Sequence, residues 1–398
     1  MLSRTFSLYR NAYSGLSRST WLLSVVMLVN RSGTMVIPFM TIYLTRPALG
    51  YSIGQAGIVM GIFGAGAICG GYIGGKLTDK LGFHPVQLVA LAGGGIMFIL
   101  LGMVKTYPLI CLFTFLLSIV NDAFRPANST AIAHYSKEEN RTRSYSLNRL
   151  AINLGWAVGG AVGGILASID YHLLFWADGL TNIAAAFLLK YFLAPVSTQR
   201  VPVKKQIEAT VSVSAFKDKS YLTFVGITIL FAICFFQLFS TLPVYYKQSL
   251  HIKEFFIGML MALNGIIITL VEMILIFKLE GKKENIYFMR NGFLLTGFSF
   301  LLLNILPASA IAAVFCMVLV TIGEMLSLPF MNSFWISRTT VSNRGQYAGL
   351  YTIAWSIAQV LGPSGGAQIV EHFGFRILWW LIGGLCIATS FCLRWLRP

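Results

Sequence analysis

Seven ionisable side chains fall inside stretches of this sequence that are otherwise apolar: Arg31, Asp122, Arg125, Arg149, Asp178, Glu272 and Glu324. A charge at the centre of a lipid-embedded helix costs about 2.5–3.5 kcal/mol even on lenient insertion scales, so several together call for a polar cavity or for mutual pairing. The chemistry open to them is proton exchange, ion pairing and recognition of charged solutes. Glu324, in Thr321-Ile-Gly-Glu-Met-Leu-Ser-Leu-Pro329, has no basic neighbour on its own helix and is the leading candidate to bind and release protons, with Asp122 second. Asp122 and Arg125 lie three residues apart, on one helical face, where each partly neutralises the other; a static ion pair is the alternative reading. Arg31 sits in the polar patch Asn30-Arg-Ser-Gly-Thr34 and reads as a carboxylate binder or as a partner for an acid across a cavity. Asn30, Gln237 and Asn153 are further polar cavity candidates. Arg149 divides evenly between a gate and an anchor whose stem snorkels to the interface. Glu272 and Asp178, near helix ends, are weaker candidates.

Lipid-spanning helices must position these groups. Of the 398 residues, 56% are hydrophobic and 11% are charged, too little polar surface for a soluble chain of this size. Crossing a hydrocarbon core of roughly 30 Å takes about 20 apolar residues in a helix. Stretches of that kind occur near 20–45, 52–76, 86–104, 108–134, 143–168, 172–194, 220–246, 253–278, 286–304, 308–335, 345–369 and 374–394, which predicts twelve spans. The runs are long and do not alternate, so helices rather than barrel strands are expected. A basic stretch with Arg4, Arg10 and Arg18 precedes a long first helix, and no cleavable signal is expected. The net charge of +16 is asymmetric: Lys76, Lys80, Arg141, Arg143, Lys204, Lys205, Lys282, Lys283, Arg344 and Arg394 share the side of the N-terminus, against Arg46, Lys105, Lys247, Lys253 and Arg376 on the other. That pattern places both termini in the cytoplasm, in a bacterial inner membrane, with the lipid bilayer rather than nucleic acid as partner.

Other chemistries lack their residues. The cysteines Cys69, Cys111, Cys234, Cys316, Cys386 and Cys392 are scattered singly and read as packing groups. His84, His134, His172, His251 and His372 lie at or near helix ends, without the clustering that a metal or an activated nucleophile needs, so no enzyme, metal or cofactor is expected. A Walker motif is absent, which argues against ATP as the direct energy source.

The polar stretch 195–219 separates six spans from six and reads as a linker between an N-terminal half, 1–194, and a C-terminal half, 220–398. Pro126 and Pro329 match at an offset of 203, Gly160 and Gly362 at 202, and Phe175-Trp176 and Trp379-Trp380 at 204, the mark of a duplicated unit. Parallel repeats of six spans imply halves related by an axis along the membrane normal, with a solute site between them.

The segment Gly75-Lys-Leu-Thr-Asp-Lys-Leu-Gly82 resembles the loop signature of the major facilitator superfamily, and the resemblance covers essentially the whole chain. It implies an all-α membrane fold of two pseudo-symmetric six-helix halves, a functional monomer, a cavity lined by spans one, four, seven and ten, and a gating role for Gly75, Asp79 and Gly82. Phe83-His84-Pro85 stand where the signature usually carries basic residues, which weakens that loop's charge network. Gly155, Gly159 and Gly163, at four-residue spacing, resemble the span-five glycine motif of drug:proton antiporters, although Gly160 replaces the usual proline. Gly323-Glu324 with Pro329, and Lys217-Asp-Lys-Ser-Tyr221 with Leu242-Pro243, are similar to spans ten and seven of the same antiporters. Span ten, Arg125-Pro-Ala-Asn128 and Ile152-Asn-Leu-Gly155 also resemble proton-coupled oligopeptide transporters. Those carry an acid-x-x-acid-Arg pattern in span one; here Met27 and Asn30 stand at the acid positions and only Arg31 remains. The resemblance therefore implies proton-coupled efflux of a small organic solute, with uptake of peptides or peptide-like solutes as the alternative.

Overall fold

The computed structural model of the chain describes residues 15–137, 141–193, 214–279, 281–339 and 343–396. Most of the expected linker, residues 195–213 of 195–219, lies outside the described residues. Among the described residues every regular element is a helix, and eleven helical stretches are long and apolar enough to cross a membrane. Lipid offers backbone N–H and C=O groups no partners, so each segment must satisfy its own, which a helix does and an open strand does not. The side chains agree. Tyr72, Val89, Ile169, Tyr191, Phe277 and Ile311 stand mostly exposed, Ile311 at 82%, a surface suited to hydrocarbon.

Two compact units form, one from Met1–Val36 with Gly66–Gln199, the other from Ile37–Ala65 with Arg200–Pro398. The first begins with α1 (Arg18–Ser32), whose N-cap Ser17 accepts the Thr20 N–H at 3.1 Å. After a break at Gly33–Met35 the same span resumes as α2 (Val36–Thr45). Pro38 explains the break: it has no N–H to offer the Thr34 carbonyl, and its ring collides with that carbonyl in a continuous helix. Next come α3 (Ile53–Leu81) and α4 (Phe83–Met103), joined at Gly82 with φ +87°, a conformation that a side chain would strain. α5 (Tyr107–Asp122) and α6 (Phe124–Tyr135) share one span, interrupted at Ala123, with Pro126 four residues beyond Asp122. α7 (Arg141–Ile169) and α8 (His172–Phe192) complete the unit. α1 packs on α7 and α8, and α4 packs on α8 and α5, around Leu23, Val26, Met27, Leu91, Ala127 and Leu189.

In the second unit α9 (Lys219–Phe236) gives way to a 3-10 turn at Gln237–Phe239 and then to α10 (Thr241–Gln248), with Pro243 in its first turn. α11 (Glu254–Leu279), α12 (Asn285–Ile305) and α13 (Ala310–Ser337) follow, and Pro329 lies inside α13. α14 (Arg344–Cys392) is 49 residues long, more than one crossing needs, and Gly374 interrupts it with φ +80°. Aromatic contacts fill the centre. Phe231 stacks on Phe293 with centroids 3.9 Å apart, and the fully buried Trp379 lies parallel to Phe300 at 5.6 Å.

Candidate functional site

In the first unit the breaks in spans one and four place three charges together. Asp122, buried at the end of α5, holds Arg125 Nε at 2.7 Å and accepts the Ser118 hydroxyl at 3.3 Å. Arg125 is 59% exposed, so the pair has a buried acid and an open base. Arg31 adds a second guanidinium within electrostatic reach of both, attracted by Asp122 and repelled by Arg125. Its Nε is buried with no hydrogen-bond partner. Among the described residues, one carboxylate thus lies in the field of two guanidinium groups. α7 holds Arg31 in place: a Cβ at Gly155 would lie 2.5 Å from that of Arg31, and one at Gly159 would lie 3.1 Å from the Ser32 carbonyl. At Gly155 only glycine admits this approach, and at Gly159 a side chain would be tight. Gly163 is buried on the same helix, Asn153 is half-buried, and Arg149 is exposed.

In the second unit Glu324 is half-buried near the middle of α13. Asn264 of α11 donates through Nδ2 to Glu324 Oε2 at 3.1 Å and to Thr321 Oγ1 at 3.0 Å. α13 is pressed onto α12 beside the carboxylate, since a Cβ at Gly323 would fall 2.4 Å from Thr296 Oγ1 and 2.8 Å from the Gly292 carbonyl. Phe236, Phe239, Trp335, Tyr351 and Trp355, all half-buried, form an aromatic run in which Trp355 meets Phe236 at 6.0 Å and Tyr351 at 6.3 Å.

Two expected cavity groups are occupied elsewhere. Asn30 is buried, and its Nδ2 donates to Asn182 Oδ1 at 2.7 Å, tying α1 to α8. Gln237 is fully buried where α9 ends; its Nε2 donates to the Ile233 and Gly362 carbonyls at 3.1 and 2.8 Å, and its Oε1 accepts from Thr241 at 2.7 Å. One amide hydrogen of Gln237 serves the end of α9 and the other ties it to α14, which leaves none for a solute. Of the residues expected in the loop, Gly75 and Asp79 lie instead in the last turns of α3, Gly75 with open space around it and Asp79 exposed, and only Gly82 makes the turn.

A family model described as Major Facilitator Superfamily matches residues 21–363. The chain belongs to this superfamily. It is similar to a Na(+), Li(+), K(+)/H(+) antiporter of Planococcus maritimus, 24% identical with 92% of this chain and 93% of that protein covered. It is also similar to the class D tetracycline resistance protein of Salmonella ordonez, 24% identical over 85% of this chain and 87% of that one. A crystal structure of a POT family transporter in complex with a thioalcohol-conjugated peptide shares the fold, with a TM-score of 0.80, 15% identity and coverage of 95% and 96%. As a major facilitator the chain is a membrane transporter of small molecules, not an enzyme.

Three features of this facilitator were missed or ranked low by sequence reasoning. The first is Asp178, which is fully buried and accepts the Met35 and Val36 N–H groups where span one breaks. The second is a seam inside the second unit between the start of α3 and α14. A Cβ at Gly57 would sit 2.2 Å from that of Ala367, one at Gly61 3.2 Å from that of Ser364, and one at Gly64 2.8 Å from the Gln359 carbonyl; at its end the Gly54 N–H donates to Glu371 Oε2 at 2.5 Å. The spacing Gly54, Gly57, Gly61, Gly64 follows one helical face and was the available signal. The third is Asp218, which caps α9 through the Tyr221 N–H at 3.0 Å, pairs with Arg338 Nε at 3.0 Å and accepts the Tyr347 hydroxyl at 3.0 Å. Burial pushes this carboxyl up, but the Arg338, Tyr221 and Tyr347 donors outweigh it and hold Asp218 below the usual carboxylate range. Its charge locks the ends of α9, α13 and α14 together.

Proposed function

We propose that this facilitator is a proton-coupled exporter of small organic solutes, working as a monomer in the bacterial inner membrane with both termini in the cytoplasm. Its twelve spans, counting α14 as two on either side of Gly374, form halves 1–194 and 220–398 joined by 195–219, and it works by alternating access. The carrying observation is Glu324: a half-buried carboxylate in the middle of α13, held by the neutral Asn264 amide and five residues before the helix-weakening Pro329. Such a group can exchange protons and report the exchange to a deformable helix. The aromatic run of Phe236, Phe239, Trp335, Tyr351 and Trp355 suits amphiphilic solutes with flat rings. The similarity to a cation/proton antiporter and to a tetracycline resistance protein favours antiport.

Protonation of Glu324 and binding of solute then bias one two-state equilibrium, because each binds the two conformations with different affinity. In proteoliposomes with an imposed pH gradient, Glu324→Gln is expected to abolish gradient-driven movement of ethidium and tetracycline while leaving the protein folded. Undiminished flux overturns the proposal. A second reading, uptake of peptide-like solutes, is favoured by Arg31, whose unpartnered Nε and positive charge suit a carboxylate. Acid-driven dipeptide uptake in intact cells, without ethidium or tetracycline export in inverted vesicles, would establish it in place of export.

A further inference from the structure

Asp178 lies on α8, is fully buried, and takes no part in the charge cluster around Arg31. Its Oδ1 accepts the Met35 N–H at 3.0 Å, and its Oδ2 accepts those of Met35 and Val36 at 3.1 and 2.9 Å. These are backbone donors left without a helical acceptor where span one breaks, at the positive end of the α2 dipole. The two helices are stitched on both sides of this contact. Asn30 donates to Asn182 at 2.7 Å, Asn182 Nδ2 donates back to the Asp178 carbonyl at 2.8 Å, and a Cβ at Gly33 would lie 3.3 Å from the Asp178 Cα. Arg31 stands two residues before Gly33, and Val36 is the residue at which the chain leaves the first unit. Asp178 therefore grips span one at its joint.

The surroundings supply no countercharge. Hydrogen bonds to this carboxylate come from backbone alone among the described residues. Of the elements packed on α8, α4 carries only His84, whose Nε2 meets the Leu193 carbonyl at 2.8 Å, and α7 has no ionisable residue from 150 to 169. α1 offers Arg31, which belongs to the Asp122 and Arg125 cluster. On α8 itself His172 meets the Gly102 carbonyl at 3.1 Å, and Lys190 and Tyr191 lie at the opposite end. An intramembrane carboxylate held only by a helix terminus has one evident way to change state, which is to take up a proton.

We propose that Asp178 is a second proton-binding carboxylate of this transporter, a positioning residue that pins the joint in span one. Ionised, it caps α2 and fixes Gly33–Met35. When a proton moves from water onto one carboxylate oxygen, that oxygen becomes a donor, the cap weakens, and α2 re-aims relative to α1 and Arg31. The driving force rests on the proton-coupled reading above, but the joint can be observed without any solute.

Hydrogen–deuterium exchange of the full chain in lipid nanodiscs, corrected for intrinsic exchange, reads the Met35 and Val36 amides directly. In the wild type these amides are expected to exchange about tenfold faster at about pH 5 than at about pH 9. Asp178→Asn, fixed in the neutral form, is expected to exchange fast at both. Wild-type protection that is equal at the two pH values overturns the proposal and needs no variant to fold. Retention of the wild-type pH response in Asp178→Asn overturns it equally. A normal joint response combined with undiminished flux in Glu324→Gln would instead strike the coupling reading and leave the joint standing.

Discussion

Asp122 holds Arg125 at 2.7 Å and also lies in the field of Arg31. Because Arg125 is 59% exposed, water takes over much of its solvation when the acid is neutralised. Arg31 is the group left with a changed field. Asp122→Asn is therefore expected to shift the melting temperature in detergent by only a few degrees while reducing gradient-driven transport at least about tenfold. A large loss of thermal stability with normal residual transport would assign the pair to structure. The charged candidates were legible because a charge in an apolar run announces itself whatever its neighbours are. Asn30 and Gln237 were not, since an amide serves a solute or a neighbouring helix equally well. Only the carbonyls and amides facing it decide, and here Asn182 and Gly362 do.

One pattern recurs at the scale of the element. Spans one, four, seven and ten each place a proline a few residues after a polar or charged side chain: Pro38 after Arg31, Pro126 after Asp122, Pro243 after Gln237 and Pro329 after Glu324. Each removes a helical hydrogen bond close to a polar group. In the first three the helix breaks, while in α13 it continues, so the same residue type gave different outcomes. The glycines of α3 act differently, by admitting α14. Leucine at Gly57 has no room beside Ala367, where even a Cβ would come within 2.2 Å. Gly57→Leu is expected to hold the α3–α14 seam apart, raising the labelling rate of a cysteine placed at Ser364 about tenfold and reducing transport in parallel. Labelling at the wild-type rate would show that the seam repacks without cost.

Across the whole molecule, charge asymmetry makes a claim that helices alone do not. Short loops rich in lysine and arginine stay on the cytoplasmic side during insertion. A cysteine replacing Asp79, at the α3–α4 turn, is therefore expected to resist an impermeant maleimide in intact cells, and one replacing Arg376, beyond Gly374, is expected to react. Reaction at Asp79 alone would invert the orientation. Helical character and the long apolar stretches were determined by the sequence, because hydropathy and length act locally and lipid leaves the backbone few alternatives, whereas two of the charges expected inside the membrane, Arg125 and Arg149, stand exposed. Tertiary structure decided what those residues face. Asp178, outwardly a minor acid near the end of a span, meets the two N–H groups that Pro38 helps to leave unpaired more than a hundred residues earlier in the chain. Contacts of that kind depend on which helices become neighbours and at what rotation, and neither is written in any single stretch of sequence.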